Sequence, residues 1–279
     1  MTMHLPTPIP LRQDLPTMYD LPSENPEEPG LPDEFHGLQP QLLQFTFQPP
    51  NWNPTRRFVA MDMNLYYDVE HPRWYKRPDW FAVVGVSRLY EEWDSRLSYV
   101  VWQEGVSPYV IVELLSPGTE DEDFGQTESQ PGKPPTKWQV YEEILQIPYY
   151  FIFDRYTDSL RGFHLVEGRY QALKLQNGRG FVPELGLSLG LWRGTYEGLT
   201  RQWLRWMKLN GELIALPQEE AEEAKQEAED AKQEAEDAKQ EAEDAKQEAE
   251  DAKQEAEDAK RRAELLAEQL RQLGIDPEA

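Results

Sequence analysis

Cysteine is absent from the 279-residue chain, which excludes disulfides, thiol nucleophiles, Cys-x-x-Cys redox pairs and cysteine zinc sites, and fits a reducing compartment. Histidine is scarce. His4, His36, His71 and His164 are scattered, without the close spacing of a zinc site. No run approaches the ~18 apolar residues of a membrane span, and the opening MTMHLPTPIPLRQDL lacks the basic region and apolar stretch of a secretory signal. A soluble, cytoplasmic protein without a membrane partner is therefore expected. Neither a phosphate-binding P-loop nor a dinucleotide fingerprint occurs. Positive charge is also short: 28 Lys and Arg stand against 52 Asp and Glu, a formal −24 that opposes broad adhesion to phosphate backbones or anionic lipid.

What is present is unevenly distributed. All nine tryptophans precede residue 207, whereas the sequence from Pro217 onward is almost wholly Ala, Glu, Lys, Gln and Asp. Residues 217–279 carry −14 of the net charge and residues 1–216 the remaining −10. Twelve of the 23 prolines fall in residues 1–57, and proline denies the backbone both helical geometry and ladder donors, so this stretch is expected to be an extended arm. The body, residues 58–216, reads as a mixed sheet with few helices, an α/β (α+β) class. Short β-rich runs recur at Phe81–Val86, Tyr99–Trp102, Tyr109–Leu115, Tyr149–Phe153, Leu160–Val166 and Tyr170–Leu175. Pro135–Gln146 is expected to be a helix ended by Pro148, and Leu199–Lys208, with Trp203, Leu204 and Trp206, a second helix.

The tail is a repeat. From Ala224 to Asp258 the heptad AKQEAED occurs five times unchanged, and its 4-3 alanine spacing runs on through Ala263 into Leu266, Leu270 and Leu273. One stripe of alanine and leucine predicts a long helix that pairs as a coiled coil. A solitary charged helix, stabilised by helix-favouring residues and Glu229–Lys232 type pairs, is the alternative. Alanine buries little and each heptad has one Lys against three acids, so the leucines must supply both burial and register.

One constellation in the body carries chemistry. Pro78-Asp79 precedes the apolar run Trp80–Val86, and Glu113 interrupts the run Val110–Leu115, where a carboxylate is costly to bury unless a metal, a cation or hydrogen bonds compensate it. Lys137 falls in the expected helix with Tyr141 four residues on, on the same face. Asp79 and Glu113 suit Mg²⁺, an ion that takes hard oxygen ligands and keeps waters, while Lys137 would orient the attacking water and offset phosphate charge. A buried Glu–Lys pair anchoring the helix to the sheet is the other reading of the same residues. The acidic run Glu120-Asp121-Glu122-Asp123 offers Asp121 or Asp123 as a further ligand, or else is a solvated loop. Tyr141 is either a substrate contact or a core tyrosine with its hydroxyl satisfied. Asp154 is expected to cap a turn. Gly186-Leu187-Ser188-Leu189-Gly190 matches GxSxG but alternates like a strand, with no nucleophile-elbow helix after it.

The Pro78-Asp79 pair, the run VELLSPGT at 112–119, the acidic stretch, the helix with Lys137 and Tyr141 and the strand PYYFIFDR at 148–155 together resemble the Uma family of putative restriction endonucleases, of the PD-(D/E)XK nuclease superfamily. The ending AELLAEQLRQLGIDPEA is similar to that of cyanobacterial members. The resemblance covers roughly residues 56–216. It implies a restriction-endonuclease-like mixed sheet flanked by helices and Mg²⁺-dependent (or Mn²⁺-dependent) hydrolysis of DNA phosphodiester bonds. It also implies Asp79, Glu113 and Lys137 as catalytic residues, with Asp79 and Glu113 as the metal pair. The superfamily lysine follows the acidic residue by two positions, where this chain has Leu115, so Lys137 stands as its replacement. DNA is the expected partner, read by local basic residues such as Arg73, Lys76, Arg77 and Arg88, with homodimerisation through body or tail. The alternative is an inactive nuclease-like scaffold brought together by the tail.

Overall fold

The computed structural model describes residues 33–116 and 118–272, and the chain divides into two compact units at Leu216/Pro217. In chain order the first unit contains α1 (Glu34–Thr46), β1 (Arg57–Met61), β2 (Leu65–Tyr66), β3 (Tyr75–Lys76), β4 (Trp80–Val84), β5 (Tyr99–Val100), α2 (Val101–Glu104), β6 (Val110–Leu114) and α3 (Glu120–Asp123). α4 (Lys137–Gln139) follows and continues as a π-helical turn, Val140–Ile144; then come β7 (Tyr149–Asp154), β8 (Ser159–Val166), β9 (Arg169–Ala172), β10 (Arg179–Val182), β11 (Leu187–Tyr196) and β12 (Leu199–Lys208). A six-stranded sheet has the order β1-β4-β6-β7-β8-β9, parallel between β6 and β7 and antiparallel elsewhere. Two three-stranded sheets, β10-β11-β12 and β3-β2-β5, complete the unit. The fold is α+β with a mixed sheet, as the sequence implies.

β4 and β6 are buried along their whole length because both faces of the large sheet are covered, which is why they read as unbroken apolar runs rather than alternations. One face, with Trp80, Ala82, Val110 and Val112, packs with Phe35, Leu42, Leu43 and Phe47 around α1 and with Leu187, Leu189 and Trp206 of the three-stranded β10-β11-β12 sheet. The opposite face, with Phe81, Val83, Ile111 and Ile152, packs with Val140 and Tyr141 of the π turn.

Two expectations are corrected. Within the described residues the proline-rich stretch is not an extended arm: α1 opens at Asp33, whose side chain accepts from the His36 N–H as an N-cap, and Leu42 and Leu43 are wholly buried. Pro40 sits inside that helix, so burial of the apolar face outweighs the loss of one backbone donor. Residues 1–32, including His4, lie outside the described residues. Leu199–Lys208 is not a helix but β12, paired along ten rungs with β11 through a two-residue turn at Glu197-Gly198, both with positive φ. Its Trp203, Leu204 and Trp206 are buried on both sides of a strand, a pattern that imitates an apolar helix face.

Other expectations hold. The Gly186–Gly190 match is a strand, β11, and the Ser188 hydroxyl is buried, donating to the Lys208 carbonyl at 3.1 Å. Asp154 caps its turn through the Tyr156 N–H at 2.8 Å and the Thr157 hydroxyl at 2.6 Å. The second unit is one helix, α5 (Pro217–Gln272), 56 residues and about 84 Å long at ~1.5 Å per residue. Gln226 donates to Asp230 four residues on at 2.8 Å, and the bond recurs at Gln233, Gln240 and Gln247 in successive heptads. The ion pair at this repeat is Lys232–Glu236 rather than Glu229–Lys232. Leu265 and Leu266 are exposed; Leu273 lies outside the described residues. Among the described residues no helix is long and apolar enough to cross a membrane.

Candidate active site

Strand register brings the two acids together. Trp80 pairs with Val112 in the antiparallel β4–β6 ladder, so the next rung sets Asp79 beside Glu113, and the pleat puts both on the face of Phe81 and Ile111. The Asp79 N–H donates to Glu113 Oε2 at 3.4 Å, and the Leu114 N–H donates to Asp79 Oδ2 at 2.6 Å. Lys137 arrives from α4, whose first turn is fixed by a capping box between Thr136 and Gln139. Its Nζ lies 3.3 Å from Glu113 Oε2 and 2.7 Å from Asp123 Oδ1. In the π turn the Leu145 N–H reaches the Val140 carbonyl, which keeps Tyr141 on the same side as Lys137, and the Tyr141 hydroxyl donates to Glu113 Oε1 at 2.8 Å.

The acidic run resolves into distinct roles. Asp121 is exposed and does not line the cavity that Asp79 and Lys137 line. Asp123 is 1% exposed, accepting from Lys137 and, at 2.9 Å, from the Thr119 hydroxyl. Glu122 accepts from Lys76 Nζ at 3.0 Å and from the Lys137 N–H at 3.3 Å. α3 lies close to α4: at Gly125, with φ +71°, a Cβ would stand 2.7 Å from the Trp138 ring, so glycine is needed both for the turn and for the approach. Tyr141 is wholly buried, with its hydroxyl bonded to Glu113.

Asp79, Asp123 and Lys137 line a cavity of about 380 Å³ together with His36, Ser116 and Arg77, among others, while Glu113 and Tyr141 stand outside its lining. Of the basic residues expected near the motif, Arg77 lines it and is held bidentately by Asp62 at 2.6 and 2.7 Å, Lys76 pairs with Glu122, and neither Arg73 nor Arg88 lines it. His36 is the residue that sequence reasoning missed. Its backbone lies in a stretch read as an arm, and its partner Asp33 three residues earlier is the only local signal of a fixed imidazole.

Burial pushes the Glu113 carboxyl up to about 7; Lys137 opposes the rise and Asp79 adds to it. Burial likewise raises Asp123 to about 6, against Lys137 and with Glu113. Asp79 is raised for the same first reason. Burial disfavours the charged form of Lys137, but Glu113, Asp123 and Asp79 outweigh it and hold the ammonium charged well above its usual range. Three buried carboxylates share one lysine, and that surplus of negative charge is the electrostatic signature of the site.

Asp79, Glu113, Asp123 and Lys137 thus form a buried acid–lysine cluster at the end of a mixed sheet. Residues 10–201 match the sequence model of Uma2, described as "Putative restriction endonuclease", and the chain belongs to that family. Residues 214–273 match the model described as "Alanine-zipper, major outer membrane lipoprotein". Among solved structures, the chain is similar to the crystal structure of a putative nuclease belonging to DUF820 from Anabaena variabilis ATCC 29413, with 8% identity, TM-score 0.40, and coverage of 57% of this chain and 77% of that one. No curated protein matches the chain.

Proposed function

We propose that this protein is an endonuclease that hydrolyses DNA phosphodiester bonds with Mg²⁺, Mn²⁺ serving in its place, and that Asp79, Glu113 and Lys137 are its catalytic residues. The observation that carries this reading is the convergence of three chain segments on Glu113 Oε2, which takes the Asp79 N–H at 3.4 Å and faces Lys137 Nζ at 3.3 Å. The donor set fits such an ion. Among the described residues no group of three or more His, Asp or Glu side chains is arranged to hold a metal, so the ion would rest on Asp79 and Glu113 with water completing its shell, the habit of Mg²⁺. When bound, the ion would neutralise the surplus buried carboxylate charge, polarise the phosphate and lower the pKa of a coordinated water.

The chain's own groups do the rest. Lys137 remains an ammonium under the field of its carboxylates, so it acts as a fixed positive charge and hydrogen-bond donor toward the phosphate and the incoming water, not as a base. Tyr141 fixes the orientation of Glu113 from behind. Arg77, half-exposed at the rim, is placed to meet a backbone phosphate.

Plasmid cleavage with Mg²⁺ or Mn²⁺ tests this. Asp79→Asn and Glu113→Gln, both nearly isosteric, are expected to lower turnover by at least about 10³-fold while leaving circular dichroism unchanged. Equal cleavage by wild type and both variants would sink the assignment. A second reading, a nuclease-like scaffold without turnover, is favoured by one fact: both Glu113 oxygens already have protein donors, as a structural ion pair requires. Calorimetric titration with Mn²⁺ separates the two, since a structural pair would show no heat of binding. In either case we propose a homodimer through α5, its exposed Leu265 and Leu266 the main apolar area offered.

A further inference from the structure

The cavity has a second wall that the acid–lysine cluster does not use. His36 Nδ1 lies 2.9 Å from Asp33 Oδ1, and its Nε2 lies 3.1 Å from the Ser116 hydroxyl; His36 and Ser116 both line the cavity that Asp79 and Lys137 line. One strand end joins the two walls. The Leu114 N–H holds Asp79 Oδ2 at 2.6 Å, and Ser116, two residues on, meets His36. Asp33 is held in turn by Arg155, which is ion-paired with it. An imidazole with one nitrogen tied to a carboxylate and the other at a cavity wall has the orientation and tautomer that proton transfer requires.

We propose that His36 is a further catalytic residue of this site, the general acid that delivers a proton from Nε2 to the leaving oxygen of the phosphodiester, with Asp33 its positioning residue. The proposal rests on the hydrolytic reading of the site. In the step, water oxygen forms a bond to phosphorus as the bond from phosphorus to the leaving oxygen breaks. That oxygen departs with the His36 proton as a free hydroxyl, the proton lost by the attacking water passes to solvent, and solvent restores the imidazolium. Water and phosphodiester alone are consumed, giving a phosphomonoester and an alcohol.

Elimination among the cavity groups supports the assignment. Lys137 is bound to two carboxylates that hold its proton, and arginine does not release one, which removes Arg77. Asp123 already accepts at both oxygens, from Lys137 and from Thr119, and Glu122 accepts from Lys76 and from the Lys137 N–H. His36 keeps a ring nitrogen whose side-chain partner among the described residues, the Ser116 hydroxyl, can either donate or accept. Burial opposes charging this imidazole, yet the hydrogen bond to Asp33 and the fields of Asp79 and Asp33 outweigh it and raise its pKa from the ordinary value. A Ser116–His36–Asp33 nucleophilic triad, which would use a neutral imidazole as base, is the competing arrangement that the Ser116 variant decides.

A leaving group that needs no proton tests the assignment. Full-length wild type, His36→Gln, His36→Asn, Ser116→Ala and Asp79→Asn are compared, with Mg²⁺ or Mn²⁺, on plasmid DNA, which expels an alkoxide, and on bis(p-nitrophenyl) phosphate, which expels a stable phenolate. Thermal unfolding checks that each variant is folded. Both His36 variants are expected to lose about 10²–10⁴-fold in kcat on DNA and to stay within about threefold of wild type on the nitrophenyl ester. Ser116→Ala is expected to lower, not abolish, turnover of both. Equal loss on both substrates by a folded His36 variant, or wild-type cleavage of DNA by it, overturns the general acid. Abolition of both activities by Ser116→Ala makes Ser116 the nucleophile and overturns it too. Failure of wild type on both substrates removes the hydrolytic reading itself, and the proposal with it. If Asp79→Asn is dead while a His36 variant is not impaired on DNA, only the proposal falls.

Discussion

The same side chains meet opposite fates in the two units. Around the cavity Asp79, Glu113 and Asp123 are desolvated, held at named atoms and crowded onto one lysine. On α5 every described Asp and Glu is exposed, and the Gln–Asp bonds of the repeat are local and recur with the heptad. The difference teaches that the chain's −24 is not one quantity. Solvated charge on a rod costs little and is screened by salt, whereas buried charge is a structural liability that a lysine and a bound cation can relieve.

The strongest way to break this contrast is to remove the counter-charge from each region. Lys137→Met is expected to destabilise the body by about 3–5 kcal/mol in urea unfolding at pH 8, because it strands buried carboxylates. Lys239→Met, on the rod, should cost about 0.5 kcal/mol or less. The sign with pH follows from Glu113 near 7 and Asp123 near 6. Both are raised above their ordinary 4.5 and 3.8, so their contribution to stability is present below those ordinary values and is lost as pH rises through 6 to 7. The Lys137→Met penalty should therefore shrink markedly at pH 5, where the stranded acids protonate. A penalty independent of pH would mean lost packing, not stranded charge.

Next in size is the effect of a cation. Mn²⁺ at about 100 times its dissociation constant should stabilise the body by about 2.7 kcal/mol, and Asp79→Asn should remove that gain. A chain lacking residues 218–279 should keep both the fold and the metal-dependent shift in melting temperature. Collapse of the far-ultraviolet circular dichroism on truncation would show that the rod is required for folding.

How much of this was legible in the sequence depended on whether the signal was local. Glu113 stood out because a carboxylate inside an unbroken apolar run must be compensated, while the face it takes was set only by pairing with β4. Asp79 could be paired with it because the β4 and β6 runs were legible as strands. The heptads declared α5 outright. His36 was not legible: prolines masked α1, and its meeting with Ser116, 80 residues on, is created by helix packing alone. The choice of Asp123 over Asp121 was hidden too, since a single turn of α3 decides which acid faces inward. β12 was misread because Trp203, Leu204 and Trp206 are buried on both faces of a strand, which erases the period-2 signal.

The smallest expected effect concerns register in the rod. Two parallel α5 helices bring one lysine against three acids per heptad on each chain, so association should strengthen as salt shortens the Debye length from ~10 Å at 0.1 M to ~3 Å at 1 M, a shift visible by sedimentation equilibrium. Deleting residues 231–237 removes one AKQEAED unit and leaves the alanine seam and its run into the leucines in phase, so association should change by less than about 0.5 kcal/mol. Deleting residues 231–232 instead turns everything beyond by about 200° at ~100° per residue and rotates Leu266 off the upstream seam. If both deletions behave alike, the seam does not pair, α5 is a solitary charged helix, and any dimer must form through the body.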